Sequence, residues 1–156
     1  DGIVDFRRGQ TVYRPILLKI SPDLDHAQID DAITVMREYG LDGIVATNTT
    51  RSREGLSTPP ETVESIGNGG LSGAPLTQRA IETVRYVYEK TEGNYPIIGV
   101  GGIMTVDDAV NMINAGASLI QIYSGFIYNG PGFVGQICRR LVEEYESKNA
   151  EQCEQK

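Results

Sequence analysis

Four short apolar runs, each followed by a segment whose apolar residues recur every three or four positions, restrict this sequence to one class of fold. The first run, Pro15-Ile16-Leu17-Leu18-Lys19-Ile20, is stopped by Ser21-Pro22 and has the continuous apolar character of a strand covered on both faces. Asp25, three residues ahead of Gln28, opens a helix carried by Ile29, Ala32, Ile33 and Met36 and ended by Gly40. The second run, Gly43 to Asn48, leads into a polar stretch from Thr49 to Ser72. That stretch is too long for a routine connection and is expected to line or cover something. Ile81, Val84 and Tyr88 mark a helix over about 76–91, ahead of the third run, Pro96 to Gly102. Thr105, with Asp107 and Asp108 in the first turn, starts a helix closed by Gly116. The fourth run, Leu119 to Gly125, precedes a last helix opened by Pro131, with Phe133, Ile137, Leu141 and Tyr145 on one face and an uncapped tail from about Ser147.

The order is βαβαβαβα, and glycine turns join helix to strand in Tyr39-Gly40-Leu41-Asp42-Gly43 and Ala115-Gly116-Ala117-Ser118. This specifies α/β architecture with a parallel sheet. An open doubly wound sheet and a (β/α)8 TIM barrel both satisfy the order. A whole barrel takes about 250 residues, so in the barrel reading the 156 residues supply half of one.

Charge narrows the partners. Fourteen Lys and Arg against 21 Asp and Glu give a net charge of −7, and no basic run exists to attract nucleic acid or anionic lipid. Any phosphate must therefore be met by local groups. No apolar stretch reaches the roughly 18 to 20 residues of a membrane span. Asp1-Gly2-Ile3-Val4 has no signal-peptide character and no initiator Met, so a piece of a longer polypeptide is expected. Cys138 and Cys153 suggest neither a disulfide framework nor a metal site, and a reducing, cytosolic setting is the default.

In parallel α/β folds the reactive groups gather at the carboxyl ends of the strands. Lys19 stands there in an otherwise apolar strand, where an inward charge needs an anionic partner, although a lysine at an edge can also snorkel to water. Thr47-Asn48-Thr49-Thr50 offers an amide and three hydroxyls for a planar polar ligand, or ordinary turn chemistry. Gly99-Val100-Gly101-Gly102-Ile103 lets backbone approach a ligand ahead of a helix, or simply turns tightly. It lacks the spacing of a dinucleotide fingerprint. Tyr123-Ser124-Gly125 could complete a phosphate cradle with it, and Gly69-Gly70-Leu71-Ser72-Gly73 is a further close-approach segment. His26 reads as a surface residue. No Ser-His-Asp set, carboxylate pair or metal spacing can be assembled, which leaves the sequence without an evident general base.

Five of these segments, in order, resemble the carboxyl half of dihydroorotate dehydrogenases of the membrane-associated, quinone-reducing class. They are Leu18-Lys19-Ile20-Ser21-Pro22-Asp23-Leu24, Asp42 to Thr50, Gly69 to Gly73, Ile97 to Ile103, and Gln121 to Phe126, within a likeness running from about Pro15 to Leu141. The Thr-Asn-Thr-Thr segment and the run from Tyr123 to Pro131 are similar to the quinone-dependent class rather than to the fumarate- or NAD-linked ones. The resemblance implies an FMN-binding TIM barrel whose fifth to eighth strands are those found here, with the half-barrel over residues 1–146 and a polar tail over 147–156. It implies that Lys19 contacts the flavin ring and offsets negative charge on its reduced form, and that Thr47, Gly73, Gly102, Tyr123 and Ser124 also bind FMN, the last three largely around its phosphate. Asn48 and Thr49 would hydrogen-bond the pyrimidine. In such enzymes a serine base removes a proton from dihydroorotate as hydride passes to the flavin, giving orotate, and quinone then takes the electrons.

That serine lies in an earlier loop of the family pattern, so no catalytic residue is expected here and the segment alone is expected to be inactive. The membrane-meeting helices also lie earlier. The whole protein is expected to sit peripherally on the cytoplasmic side of the membrane, and this segment to be soluble and to self-associate through open barrel edges. Other phosphate-binding barrels, such as those resembling IMP dehydrogenase or histidine-biosynthesis enzymes, share the glycine-ended strands but are disfavoured by Lys19 and Thr-Asn-Thr-Thr. A non-catalytic flavin- or nucleotide-binding module would keep the same cradle without a base.

Overall fold

Each apolar run becomes one strand of a single parallel sheet in the computed structural model, which describes residues 2–154. Helix α1 (Gly2–Arg8) leads to β1 (Leu17–Ile20) and α2 (His26–Glu38), then β2 (Gly43–Ala46), α3 (Pro60–Ile66), a single 3-10 turn (Ala74–Leu76) and α4 (Thr77–Thr91). β3 (Ile97–Val100), α5 (Val106–Asn114), β4 (Leu119–Gln121), α6 (Ser124–Asn129) and α7 (Gly132–Glu154) complete the chain. The strands lie side by side in sequence order with no reversal, as in a barrel wall and unlike a doubly wound sheet, which needs a topological switch. The fold is therefore α/β, with four βα units forming half of a TIM barrel.

Register sorts the strand residues onto two faces. Leu18, Ile44 and Ile97 stand in one row, and Ile20, Ala46, Gly99 and Ile120 in another on the same face. These rows meet the helices, and Ile20, Ile44, Ala46 and Ile97 are buried against Ile29, Ile33 and Met36 of α2, Ala80, Val84 and Val87 of α4, Met112 of α5 and Phe133 and Ile137 of α7. At about 25 cal/mol per Å2 of apolar surface removed from water, this one-sided core is the main stabilising contribution. The opposite face carries the row Lys19, Val45, Ile98 and Leu119 and has no helical layer; Leu119 remains 63% exposed.

Helix starts follow the sequence signals. Asp25 Oδ1 accepts from the Gln28 N–H (2.9 Å) while Gln28 Oε1 accepts from the Asp25 N–H (3.0 Å), and Thr105 and Asp108 make the same reciprocal box. Asp42, immediately before β2, fastens the segment that precedes β1 to the sheet. Its carboxylate accepts from Arg7 Nη1 (2.7 Å), from the Ile16 N–H (2.6 Å) and from the Tyr13 hydroxyl. Desolvation raises the Asp42 carboxyl, but the Tyr13 hydroxyl, the Ile16 N–H and Arg7 outweigh it and hold the group below the usual carboxylate range.

Three local expectations change. The fourth strand stops at Gln121 instead of reaching Gly125, because the ladder's last pair is Val100 with Gln121, and Ser124-Gly125 begin α6. The polar stretch after Thr49 contains α3, started by Pro60 in its first turn and burying no side chain. The tail from Ser147 continues as helix to Glu154. Cys138 is exposed and free, while the Cys153 side chain lies outside what is described. Among the described residues no helix is long and apolar enough to cross a membrane, and no three acidic, His or Cys side chains form a metal-holding group.

Candidate functional site at the carboxyl ends of the strands

The four strand ends converge on a cavity of about 240 Å3. Lys19, Thr47, Asn48, Thr49, Gly73, Gly102, Tyr123 and Ser124, the eight residues singled out in the sequence, all line it. Lys19 is the single charged side chain among the lining residues, in a chain with a net charge of −7. No carboxylate, imidazole or thiol faces it there.

Backbone contacts beyond the ladder fix the second strand's end. The Thr47 N–H donates to the Val100 carbonyl (2.6 Å) and the Asn48 N–H to the Ile20 carbonyl (2.8 Å), so this end is gripped from both sides. Thr47 is buried, and its hydroxyl donates again to the Val100 carbonyl (3.3 Å). Thr50 and Leu71 then exchange both backbone bonds (3.0 and 2.8 Å), closing residues 51–70 into an excursion and setting Thr49 and Ser72 on the cavity. Ser72 Oγ lies 3.0 Å from Ser124 Oγ, joining the loop to the start of α6.

The third strand's glycine end is shaped by a close approach. Gly102 has φ +69°, and a Cβ there would collide with the backbone and hydroxyl of Thr77 at the start of α4. The Thr77 hydroxyl donates to the Gly102 carbonyl (2.5 Å), which fastens the turn. Tyr123, 75% exposed, stands at the open side. Ser72, Gly101 and Gln121 also line the cavity. Ser72 and Gly101 belong to the two glycine-rich close-approach segments and Gln121 to the last strand run, and no side-chain pattern in the sequence marks these three individually.

Chemically, the lining supplies an ammonium, the hydroxyls of Thr47, Thr49, Ser72, Tyr123 and Ser124, two side-chain amides and the apolar Val100, Ile103 and Ile122. Donors without carboxylates beside an apolar wall suit a planar conjugated ring carrying a phosphate, so these residues fit FMN by donor type. The volume is below the roughly 300 Å3 of closed ligand pockets, consistent with a site whose wall on the helix-free side of the sheet is open. The arrangement can bind, orient and offset negative charge, and its lining holds no carboxylate, imidazole or thiol to take a carbon-bound proton.

A larger groove of about 620 Å3 lies outside this site, bordered by Pro22, Asp25, His26, Arg79, Glu82 and Tyr86. His26 is exposed and stacks on the Tyr86 ring (3.9 Å between centroids), the surface role its sequence suggested.

Comparison with known proteins converges on one family. The family model described as dihydroorotate dehydrogenase matches residues 7–145. A protein named dihydroorotate dehydrogenase (quinone) from Trichodesmium erythraeum is 50% identical over 137 residues, which are 85% of this chain and 36% of that protein. One of the same name from Crocosphaera subtropica is 50% identical over 139 residues, again 85% and 36%. The ligand-free type DHODH structure from Eimeria tenella superposes with a TM-score of 0.77 at 38% identity, over 86% of this chain and 37% of that one. The chain thus spans little more than a third of the length of the proteins it matches.

Proposed function

The chain belongs to the dihydroorotate dehydrogenase family, and we propose that it is the carboxyl half of a quinone-dependent member that oxidises dihydroorotate to orotate in pyrimidine biosynthesis. The observation that carries this reading is the convergence of eight residues from four strand ends and two loops on one carboxylate-free cavity. FMN, when bound, supplies the hydride acceptor and passes the electrons on to quinone.

This chain's residues bind and orient. Lys19 would contact the flavin ring and offset negative charge there, which accounts for an ammonium on an otherwise apolar inner row. Thr47 and Gly73 would also contact the cofactor, while Gly102, Tyr123 and Ser124 would hold it largely around its phosphate. Asn48, whose N–H is part of the grip on the second strand's end, and Thr49 beside it would present hydrogen-bonding groups to the pyrimidine. The proton is taken by a base outside this segment.

The reading is tested with the complete polypeptide that contains this chain, assayed for orotate formation with a quinone acceptor beside the 156-residue chain alone. The complete protein turns over and the chain alone does not. Turnover by the chain at a rate near that of the whole would place the base within it and contradict the assignment.

Two further proposals concern assembly. The helix-free row with Leu119 exposed and the unpaired edges of β1 and β4 favour pairing of the isolated chain with a second copy. A monodisperse monomer at micromolar concentration in light scattering would contradict this. The whole protein meets the cytoplasmic face of the membrane through segments outside this chain, so the chain by itself should not sediment with liposomes.

A further inference from the structure

Asp23, in the turn between β1 and α2, is not among the residues lining the cavity, yet both its carboxylate oxygens are committed to the loop that forms the cavity's polar wall. Oδ1 accepts from the Thr50 hydroxyl (2.6 Å) and Oδ2 from the Arg51 N–H (2.7 Å). The Thr50 oxygen accepts in turn from the Ser52 N–H (3.0 Å). The Asp23 N–H donates to Ser21 Oγ (3.1 Å), which steadies the carboxylate's own backbone.

This places one side chain at the junction of the whole excursion. Thr50 and Arg51 are where the chain leaves, and Leu71, doubly bonded to Thr50, is where it returns. The residues just inside that junction, Asn48 and Thr49, are the polar groups facing the cavity. There is little slack: a Cβ at Gly70 would collide with the Thr49 side chain, so Thr49 is pressed from the returning limb while Asp23 holds the departing one. Hydrogen bonds to an ionised carboxylate are roughly twice as strong as neutral ones. Burial pushes the Asp23 carboxyl up, but the Thr50 hydroxyl, the Arg51 N–H and the charges of Arg79 and Arg51 outweigh it and hold it below the usual range.

We propose that Asp23 is a positioning residue for the pyrimidine, its carboxylate setting the placement of Asn48 and Thr49 through Thr50 and Arg51. The inference rests on the functional reading above. Lys19 and Gly102 are held independently, by the strand ladder and by Thr77, so substrate binding depends on Asp23 and flavin retention does not.

The experiment compares Asp23→Ala, Asp23→Asn and Thr50→Val in the complete polypeptide for dihydroorotate KM, kcat, bound flavin and amide exchange at Arg51 and Leu71. A displacement of about 1 Å in a positioned group costs up to about 100-fold, so Asp23→Ala should raise KM about 10- to 100-fold, with flavin content unchanged, kcat less affected and both amides exchanging faster. Asp23→Asn keeps one oxygen acceptor but turns an amide NH2 toward the other donor, and should fall between. Thr50→Val should raise KM in the same sense, and combining it with Asp23→Ala should add little, since the two act as one unit. Should Asp23→Ala fail to fold, the near-isosteric Asp23→Asn gives the same readout. A parent protein unable to oxidise dihydroorotate would overturn the functional reading. An active parent whose Asp23 variants keep KM within twofold, or lose flavin in step with KM, would overturn the role of Asp23 alone.

Discussion

Replacing Gly102 by Ala tests the architecture and the site together. Gly102 has φ +69°, and leaving glycine there costs about 1 to 2 kcal/mol. The added Cβ would also meet the Cα, N and Oγ1 of Thr77, two of them backbone atoms of a helix start that cannot rotate away. Overpacking of this kind costs about 1 to 3 kcal/mol, for a total of about 2 to 5 kcal/mol against the 5 to 15 kcal/mol typical of a domain. Relief requires the β3–α5 turn to move off α4, and that turn is one wall of the cavity. Gly132 is the control: nothing lies within 4 Å of its added Cβ and its φ is not positive, so Gly132→Ala should change stability by less than about 1 kcal/mol. Urea unfolding followed by circular dichroism, with flavin content measured on the same samples, reads both effects. At a slope of about 1 to 3 kcal/mol per molar urea, Gly102→Ala should lower the midpoint by about 0.7 M or more and deplete flavin. A Gly102→Ala protein with the parent's midpoint and full flavin would mean that the turn has somewhere else to go and that Thr77 does not confine it.

Other consequences are simpler to check. Lys19→Ala in the complete polypeptide should weaken flavin retention and turnover together, read by absorbance and steady-state rate; unchanged turnover would remove Lys19 from the chemistry. Asn48→Ala should chiefly raise the dihydroorotate KM, by about tenfold for the loss of one to two hydrogen bonds, and loss of flavin with intact substrate affinity would reverse its assignment. Thr105→Ala removes one half of a capping box and should cost about 1 kcal/mol in urea unfolding. Asp42 titrates lower when folded, so its contribution is complete above the unfolded carboxyl value of about 3.9 and is lost as pH falls through the depressed folded value. Acid should therefore loosen the Arg7–Asp42 contact as pH falls through that depressed folded value, and Asp42→Asn should flatten the acid side of the stability–pH curve, as measured by urea midpoints across pH.

Strand and helix order was legible because burial on a parallel sheet writes continuous apolar runs, and capping boxes at Asp25 and Thr105 are local in sequence. Strand ends were less so. Leu119 to Gly125 is apolar enough to read as one strand, but the ladder ends where its neighbour turns at Gly101-Gly102, a limit imposed by another strand. Helix α3 left no apolar periodicity because it buries nothing, and α1 is seven residues long with Val4 as its one buried side chain. The cavity's residue types could be gathered from strand ends, since topology brings those ends together. What could not be read was the support: Asp23 reaches Thr50 across 27 positions and Arg7 reaches Asp42 across 35, and no local pattern announces pairs so far apart.

These four strand ends are proposed to form the flavin and pyrimidine site of a dihydroorotate dehydrogenase. The most direct measurement is anaerobic: the purified complete polypeptide is mixed with dihydroorotate while the flavin band near ~450 nm is followed, and quinone is then added. The band is expected to bleach with dihydroorotate and to return with quinone. A protein that carries no flavin, or one whose flavin band is untouched by dihydroorotate, would contradict it.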